Sequence, residues 1–395
     1  MRPVTSIALV CSLALAASSQ VGSQVVPASG NVRVSSPGFP PVRIVALPDG
    51  GIQPHAVVDA AGTTHVLYFA GDPAGGELYY FAVSNQDRKP SEPVRVNSVA
   101  GSALAAGSVR GGQLAVGRNG RVHVAWHGSK PLSAPATLAP MWYSRSTGSE
   151  GAFEPQRAVS GRTAGLDGGA VAAGPSGQVA VAWHGDGSRP GDGHRTVYLA
   201  TSANDGATFM SPAPATDAPV GACGCCGMRA LFDSSGALHV LYRAATDGKH
   251  RDTIWLTIDR AIARPPVRVH PWNIEACPMT TYALVETADG LAAAWETAQQ
   301  VYSANLNSTT STVSAPTAIP GQASRRHPSI AVNKAGDRLI AWTEGTAWKR
   351  GGTFAWRLTD RTGNERAAEP NAGTVAVWGL VSAVAMPDGS FVIYR

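Results

Sequence analysis

The chain has 395 residues, 44% of them hydrophobic and 15% charged, with 44 glycines and 28 prolines. This composition excludes a disordered chain, a coiled coil and a polytopic membrane protein, and it suits a globular protein with many turns. The net charge of +5 is spread along the sequence without a dense basic cluster, so we expect no nucleic-acid partner.

The N-terminal residues 1–19 predict an export signal. An apolar stretch follows Arg2 and ends in small residues, which is typical of a signal peptide cleaved near residue 19. We therefore expect a periplasmic or extracellular protein whose mature chain has no transmembrane segment and which is a monomer. Residues 20–41 are rich in Gly, Ser and Pro and predict a flexible segment that contributes closing strands. We expect residues 42–395 to form one domain.

The rest of the chain repeats one pattern. A short apolar run, a turn containing Gly and a second run ending in an aromatic residue recur near positions 55, 113, 170, 229, 282, 329 and 382. Asn-Gly, Ser-Gly and Asp-Gly in the turns supply the positive φ that tight hairpins need. A third strand follows most hairpins, and Pro-Val-Arg-Val at 93–96 and 266–269 predicts a fourth. The pattern therefore indicates repeated units of four antiparallel strands.

Such units, recurring about every 50 residues, predict an all-β fold, a β-propeller. The last hairpin, residues 380–395, ends after its second strand, so we expect the segments beginning at 31 and 42 to complete that blade. We favour seven blades, with six as the alternative if one hairpin is irregular. Four tryptophans recur at one strand position and predict packing between blades: Trp126, Trp183, Trp295 and Trp342.

Residues 202–209, Ser-Ala-Asn-Asp-Gly-Ala-Thr-Phe, resemble the Asp-box (BNR repeat) of sialidase-superfamily propellers, Ser-x-Asp-x-Gly-x-Thr-Trp/Phe. The resemblance implies a sialidase-like propeller in which the carboxylate caps a tight turn, Gly takes a special backbone angle and the aromatic ring plugs between outer strands. The motif is structural and implies no activity.

A second resemblance covers residues 223–278. Cys-Gly-Cys-Cys at 223–226, Tyr-Arg to Arg-Asp at 242–252 and Trp-x-Ile-x-x-Cys-Pro within 270–278 are similar to motifs in a group of exported bacterial sialidase-like propellers. That group has no established activity known to us, so the resemblance implies a fold and a location rather than a reaction.

The superfamily resemblance also raises the hypothesis of an exo-sialidase or a related glycoside hydrolase acting on acidic glycans. Such an enzyme uses three Arg to hold a carboxylate, a Tyr nucleophile assisted by Glu, and an Asp acid/base. The family's Arg-Ile-Pro is matched only by Arg43-Ile44-Val45. The candidate catalytic residues, which do not fall on the family's motifs one by one, are Arg229, Arg243, Arg251, Asp252, Tyr282 and Glu286.

The cysteines support a different hypothesis. Cys223, Cys225 and Cys226 precede the hairpin near 229, and Cys277 precedes the hairpin near 282. In a propeller, both loops lie on one axial face, so the four thiols should be neighbours. That face should also carry His55, His127, His184, Arg243, Glu296, His327, His270 and Trp272.

Thiolate and imidazole ligands favour Cu(I) or Zn(II), so we predict a binding module with Cys223, Cys225, Cys226, Cys277 and His270 as metal ligands and copper or zinc as the ion. Structural disulfides or a redox role remain open for the same cysteines. A third hypothesis is a partner-binding scaffold in a periplasmic assembly. The predicted partners are therefore a metal ion, a glycan or a periplasmic protein.

Overall fold

The computed structural model describes residues 31–33, 40–107, 111–128, 140–148, 151–161, 167–187, 189, 191–216, 221–321 and 324–395. In these ranges the regular structure is β-strand, apart from three short 3-10 turns. The strands form seven sheets, which confirms the all-β propeller and favours seven blades over six. Within the described ranges, no helix has the length and apolar character needed to span a membrane. The predicted export signal lies outside the described residues.

The strands are numbered in chain order, and β1 (Asn31–Arg33) and β2 (Val42–Val45) come first. Blade one contains β3 (Ile52–Val58), β4 (Thr64–Ala70), β5 (Glu77–Val83) and β6 (Val94–Arg95). Blade two contains β7 (Gly112–Val116), β8 (Val122–His127), β9 (Met141–Arg145) and β10 (Arg157–Ala158). Blade three contains β11 (Asp167–Ala173), β12 (Val179–Gly185), β13 (Thr196–Ser202) and β14 (Ala213–Pro214).

Blade four contains β15 (Arg229–Phe232), β16 (Leu238–Arg243), β17 (Thr253–Asp259), β18 (Ile262–Ala263) and β19 (Val267–His270). Blade five contains β20 (Tyr282–Thr287), β21 (Gly290–Thr297), β22 (Gln300–Asn307), β23 (Thr312–Val313) and β24 (Thr317–Ala318). Blade six contains β25 (Arg325–Val332), β26 (Arg338–Glu344), β27 (Gly352–Thr359) and β28 (Glu365–Val375). Blade seven contains β29 (Ser382–Ala385) and β30 (Phe391–Tyr394), with β1 and β2. In blades four and five, two short outer strands pair with the third strand where one fourth strand was predicted.

The apolar core lies between neighbouring blades. One cluster, for example, joins Leu241 and Trp255 of blade four to Leu291 and Trp295 of blade five. Second strands are covered on both faces by adjacent sheets, so their sequences are continuous apolar runs rather than alternating ones, and every residue of β12 is buried. The four recurring tryptophans are each at most 4% exposed, which confirms their role in packing.

Blade seven closes the ring by joining the two ends of the chain. Strand β2 pairs with β30 in parallel, with Val42 opposite Phe391 and Ile44 opposite Ile393, so this blade departs from the predicted antiparallel pattern. The reason is topological. Strand β2 leads directly into β3 and therefore runs in the direction of a fourth strand, which is parallel to the second strand of a blade.

The turn at residues 202–209 differs in one respect from the Asp-box expectation. Asn204 stands where the motif has Asp, and its Oδ1 accepts from the backbone N–H of Thr208 at 3.0 Å. Asp205 does not cap the turn. Its carboxylate instead pairs with Arg121 Nε of blade two at 2.6 Å. Phe209 packs edge-on against Tyr143, also in blade two, so the turn links neighbouring blades.

Ring closure predicts a strong effect of truncating Val42, which is fully buried in the core between blades six and seven, compared with Val99, which is 55% exposed. We expect Val42→Ala to lower the free energy of unfolding by about 2 kcal/mol through lost burial and a residual cavity, and Val99→Ala to change it by less than about 0.5 kcal/mol. Denaturant unfolding of the two variants measures the difference. Equal values would mean that β2 does not pack as described.

Candidate functional site

The candidate site lies on the axial face where loops from blades three, four and five meet. Backbone hydrogen bonds hold the loop carrying the first three cysteines in place: the N–H of Ala222 donates to the carbonyl of Asp192 at 3.0 Å, and that of Cys223 to the carbonyl of Arg243 at 2.9 Å. The N–H of Gly227 donates to the carbonyl of Thr280 at 2.8 Å. The loops predicted to be neighbours are therefore in direct contact.

Four sulfur atoms meet in this site, which we call the sulfur cluster: Cys223, Cys225, Cys226 and Cys277. Cys225 and Cys277 form a disulfide across a separation of 52 residues, which joins the loop before blade four to the loop before blade five. Cys223 and Cys226 are free thiols and are fully buried. The Sγ of Cys223 lies 3.3 Å from that of Cys225 and 3.2 Å from that of Cys226.

A buried guanidinium supports the cluster from the blade-four side. Arg243 is 0% exposed, and it donates from Nε to Thr280 Oγ1 at 2.9 Å and from Nη1 to the carbonyl of Arg251 at 2.6 Å. Its guanidinium lies 4.9 Å from the ring centroid of Trp272 and 5.7 Å from that of Tyr282. No described carboxylate forms an ion pair with Arg243, so its positive charge acts on the adjacent sulfurs.

The pKa values of the two free thiols are shifted in opposite directions. Burial acts to raise the pKa of Cys226, but a hydrogen bond from Cys223, the charge of Arg243 and hydrogen bonds from Thr280 hold that pKa below its usual range. The Thr280 N–H and Oγ1 lie 3.5 and 3.4 Å from the Cys226 sulfur. The hydrogen bond to Cys226, together with burial, raises the pKa of Cys223. Cys226 is therefore the thiol of the pair that loses its proton more readily.

A second charged group fixes the outer side of the cluster. Asp192 pairs with Arg251 at 2.8 Å and with Arg195 at 3.2 Å. The Arg195 guanidinium lies directly over Gly224, where an added Cβ would collide with it. A larger residue in place of the glycine of the Cys-Gly-Cys-Cys segment would therefore displace the Arg195 side chain.

Four of the six candidate catalytic residues lie close together around the sulfur cluster: Arg243, Arg251, Asp252 and Tyr282. The polar groups of the first three are already engaged, whereas the buried Tyr282 hydroxyl has no hydrogen-bond partner among the described residues. Arg251 is paired with Asp192, and Asp252 accepts from the backbone N–H of Trp272 at 2.9 Å. Arg229 donates to the carbonyl of Tyr282 at 3.3 Å. The sixth, Glu286, lies toward the opposite end of β20, four residues or about 13 Å along the strand, and accepts from the N–H of Ser234. Arg229 borders the cavities near the axis, whereas Arg243 is fully buried.

The histidines of this face do not join the sulfurs. His270 accepts from Trp295 Nε1 at 3.0 Å and packs edge-on against Tyr302 with ring centroids 4.4 Å apart. Among the described residues, three cysteines lie close enough together to hold a metal ion: Cys223, Cys225 and Cys226. No imidazole belongs to this group. His127, His184 and His327 are buried.

Sequence reasoning missed two residues that shape the site. Thr280 connects Arg243 to Cys226, accepting from the first and donating to the second, and Asp192 anchors Arg195 and Arg251. Thr280 lies three residues after Cys277, and Asp192 lies in the loop between β12 and β13, which opens on the same face. Their positions in axial loops were the available signal, although neither residue type suggests metal chemistry.

Glu296, at the end of β21, adds a titrating group behind the site. Burial raises the pKa of its carboxyl to about 7, although Arg326, at 3.2 Å, and Arg243 act in the opposite direction. Because the folded pKa lies above the ordinary value of 4.5, the neutral acid is favoured in the folded chain. Stability from this group is therefore fully present below pH 4.5 and is lost as the pH rises through about 7.

We expect Glu296→Gln to remove this dependence. As the pH rises from about 5 to about 8, the free energy of unfolding of the variant should increase relative to that of the parent, by at most about 3 kcal/mol. Denaturation of the two proteins at matched pH values measures the difference, in which other titrating groups largely cancel. A constant difference across this range would contradict the assignment.

No protein-family model matches the chain, and no curated protein matches it in sequence. The solved structures that resemble it include a fungal alcohol oxidase in complex with copper, with a TM-score of 0.50 and 13% identity over 85% of this chain and 68% of that one. The Hadza microbial sialidase Hz136 has a TM-score of 0.47 and 15% identity over 81% of this chain and 73% of that one. A leech intramolecular trans-sialidase has a TM-score of 0.49 and 9% identity over 88% of this chain and 86% of that one. At these identities the likeness concerns the fold alone. In fold, this chain is a β-propeller with seven blades.

Proposed function

We propose that this protein is an exported binding module that holds one soft metal ion, Cu(I) or Zn(II), in the sulfur cluster. The observation that carries the proposal is the convergence of three sulfur atoms, those of Cys223, Cys225 and Cys226, within 4.8 Å of one another. Tetrahedral and trigonal thiolate sites need sulfurs at about this separation, with metal–sulfur bonds of about 2.3 Å.

The donor chemistry supports a soft ion. All the converging ligand atoms are sulfur, which favours Cu(I) and Zn(II) over Mg(II) and Ca(II). Metal binding requires thiolates, and Arg243 and Thr280 stabilise the thiolate of Cys226 before any metal arrives. Burial of the two free thiols favours retention of a bound ion.

The disulfide sets the number of ligands in this proposal. With Cys225 and Cys277 bonded, Cys223 and Cys226 are the two thiols available. Reduction adds Cys225 and the exposed Cys277, which makes a four-thiolate set. We therefore expect the reduced protein to bind a metal ion more tightly than the disulfide form.

The geometry gives less support to a glycan-acting enzyme. A carboxylate clamp needs guanidinium groups that a substrate can reach, and the Arg243 guanidinium is fully buried with three acceptors of its own. A partner-binding scaffold would need a broad apolar face. The large exposed apolar side chains of the described residues are scattered over several blades: Val99, Met210, Ile262, Trp348 and Val377.

The test is anaerobic titration of the reduced mature protein, which lacks residues 1–19 and with them Cys11, with Cu(I) against a competing chromogenic chelator. We expect one Cu(I) per chain. Cys226→Ser and Cys223→Ser should each weaken binding by more than about tenfold, the loss already typical of outer-shell changes.

His270→Ala is the matched control, because His270 packs against Trp295 and Tyr302 and not against the sulfurs. It should leave the stoichiometry and affinity unchanged. Parallel titration with Zn(II) compares the two ions. The proposal fails if neither ion is retained, or if the Cys→Ser variants bind as the parent does.

A further inference from the structure

Arg229 differs from the other arginines of the axial face because it borders the central channel of the propeller. Its Nη1 lies 2.6 Å from His55 Nε2, and the same nitrogen donates to Gln113 Oε1. Among the described residues no carboxylate lies within ion-pair distance of Arg229. Burial without an anionic partner lowers the pKa of its guanidinium to about 10. The channel therefore contains a cation whose charge no described side chain neutralises.

His55 adds a second hydrogen-bond donor at the same point. Its Nδ1 accepts from the backbone N–H of Leu114 at 2.7 Å. Burial and the charge of Arg229 hold the pKa of His55 well below its usual range, so the ring is neutral and carries its single proton on Nε2. That N–H faces the N–H of Arg229 Nη1. Two donors thus meet beside the channel, an arrangement that an anionic oxygen would relieve.

The channel has a cavity on each side of Arg229. On one side of Arg229 is a small cavity of about 40 Å³ toward the sulfur-cluster face, and on the other is a cavity of about 300 Å³. First strands from blades one, four, five, six and seven form the walls of the larger cavity. Beyond its polar end at His55, Arg229, Ser329 and Ser382, the walls are inner edge strands that present backbone groups and residues of aliphatic type: Ala56, Val57, Val58, Leu231, Ala283, Leu284, Val285, Ile330, Ala331, Val332, Ala383, Val384 and Ala385.

The two hydroxyls at the polar end are already engaged as acceptors. Ser382 Oγ accepts from the backbone N–H of Ala56 at 3.0 Å, and Ser329 Oγ accepts from that of Ala383 at 2.8 Å. Arg229 and His55 therefore supply the side-chain polar recognition in this cavity, and the remaining wall combines strand backbone with aliphatic side chains. From His55 to Val58 the wall extends about 10 Å along β3.

We propose that the larger cavity binds an aliphatic carboxylate, with its carboxylate on Arg229 and His55 Nε2 and its alkyl chain along the aliphatic wall. A cationic end and a wall that carries aliphatic side chains match the two parts of such a molecule. This binding site is distinct from the sulfur cluster and does not depend on the metal-binding function proposed above.

The experiment is isothermal titration calorimetry of the protein with sodium octanoate, with sodium acetate as the probe that lacks the chain. Octanoate should bind with one site per chain and acetate at least tenfold more weakly. Arg229→Gln should weaken octanoate binding by roughly tenfold to a hundredfold, the range for a charged hydrogen bond.

Arg361→Gln is the matched control, because Arg361 is exposed and pairs with Asp289 outside the channel. It should bind octanoate as the parent does. Arg229→Lys keeps the charge and should retain most of the affinity, which keeps the test decisive if Arg229→Gln fails to fold. Absence of octanoate binding, equal binding by both Gln variants, or acetate binding as tightly as octanoate would overturn the proposal.

Discussion

Closure of the ring is the constraint on which the other features depend. Each blade buries apolar side chains against both neighbours, so an open ring would leave two sheet faces exposed to water. The parallel pairing of β2 with β30 removes those faces by joining the two ends of the chain. Once the ring is closed, every loop between blades has a fixed position around the axis. Residues far apart in sequence, such as Asp192 and Arg251, can then form specific contacts.

The sulfur cluster depends on the Arg243 guanidinium, a cation that is buried away from water. Removing a guanidinium from water carries a penalty of several kcal/mol unless its hydrogen bonds are satisfied. Arg243 meets that condition with a hydroxyl and two backbone carbonyls, and with the faces of Trp272 and Tyr282. Because none of these partners is anionic, its field reaches Cys226. The same side chain thus holds two loops and the end of β21 together and stabilises a thiolate.

The two axial sites use positive charge in different ways. In the sulfur cluster the arginine is sealed inside the protein, and its effect is to activate a neighbouring ligand atom. In the channel, Arg229 borders a cavity and has neutral partners, so its charge remains available to a molecule that enters.

Several features followed from the sequence alone because they depend on local chemistry. Gly-containing turns between apolar runs determine the hairpins, seven copies of them determine the blade number, and strand order places the two cysteine loops on one face. The parallel direction of β2, the burial of Arg243, the role of Thr280 and the packing of His270 against Trp295 required the tertiary structure. So did the division of the four cysteines into one disulfide and two thiols. These features depend on distances between side chains of different blades, which a sequence pattern with a two-residue strand period does not encode.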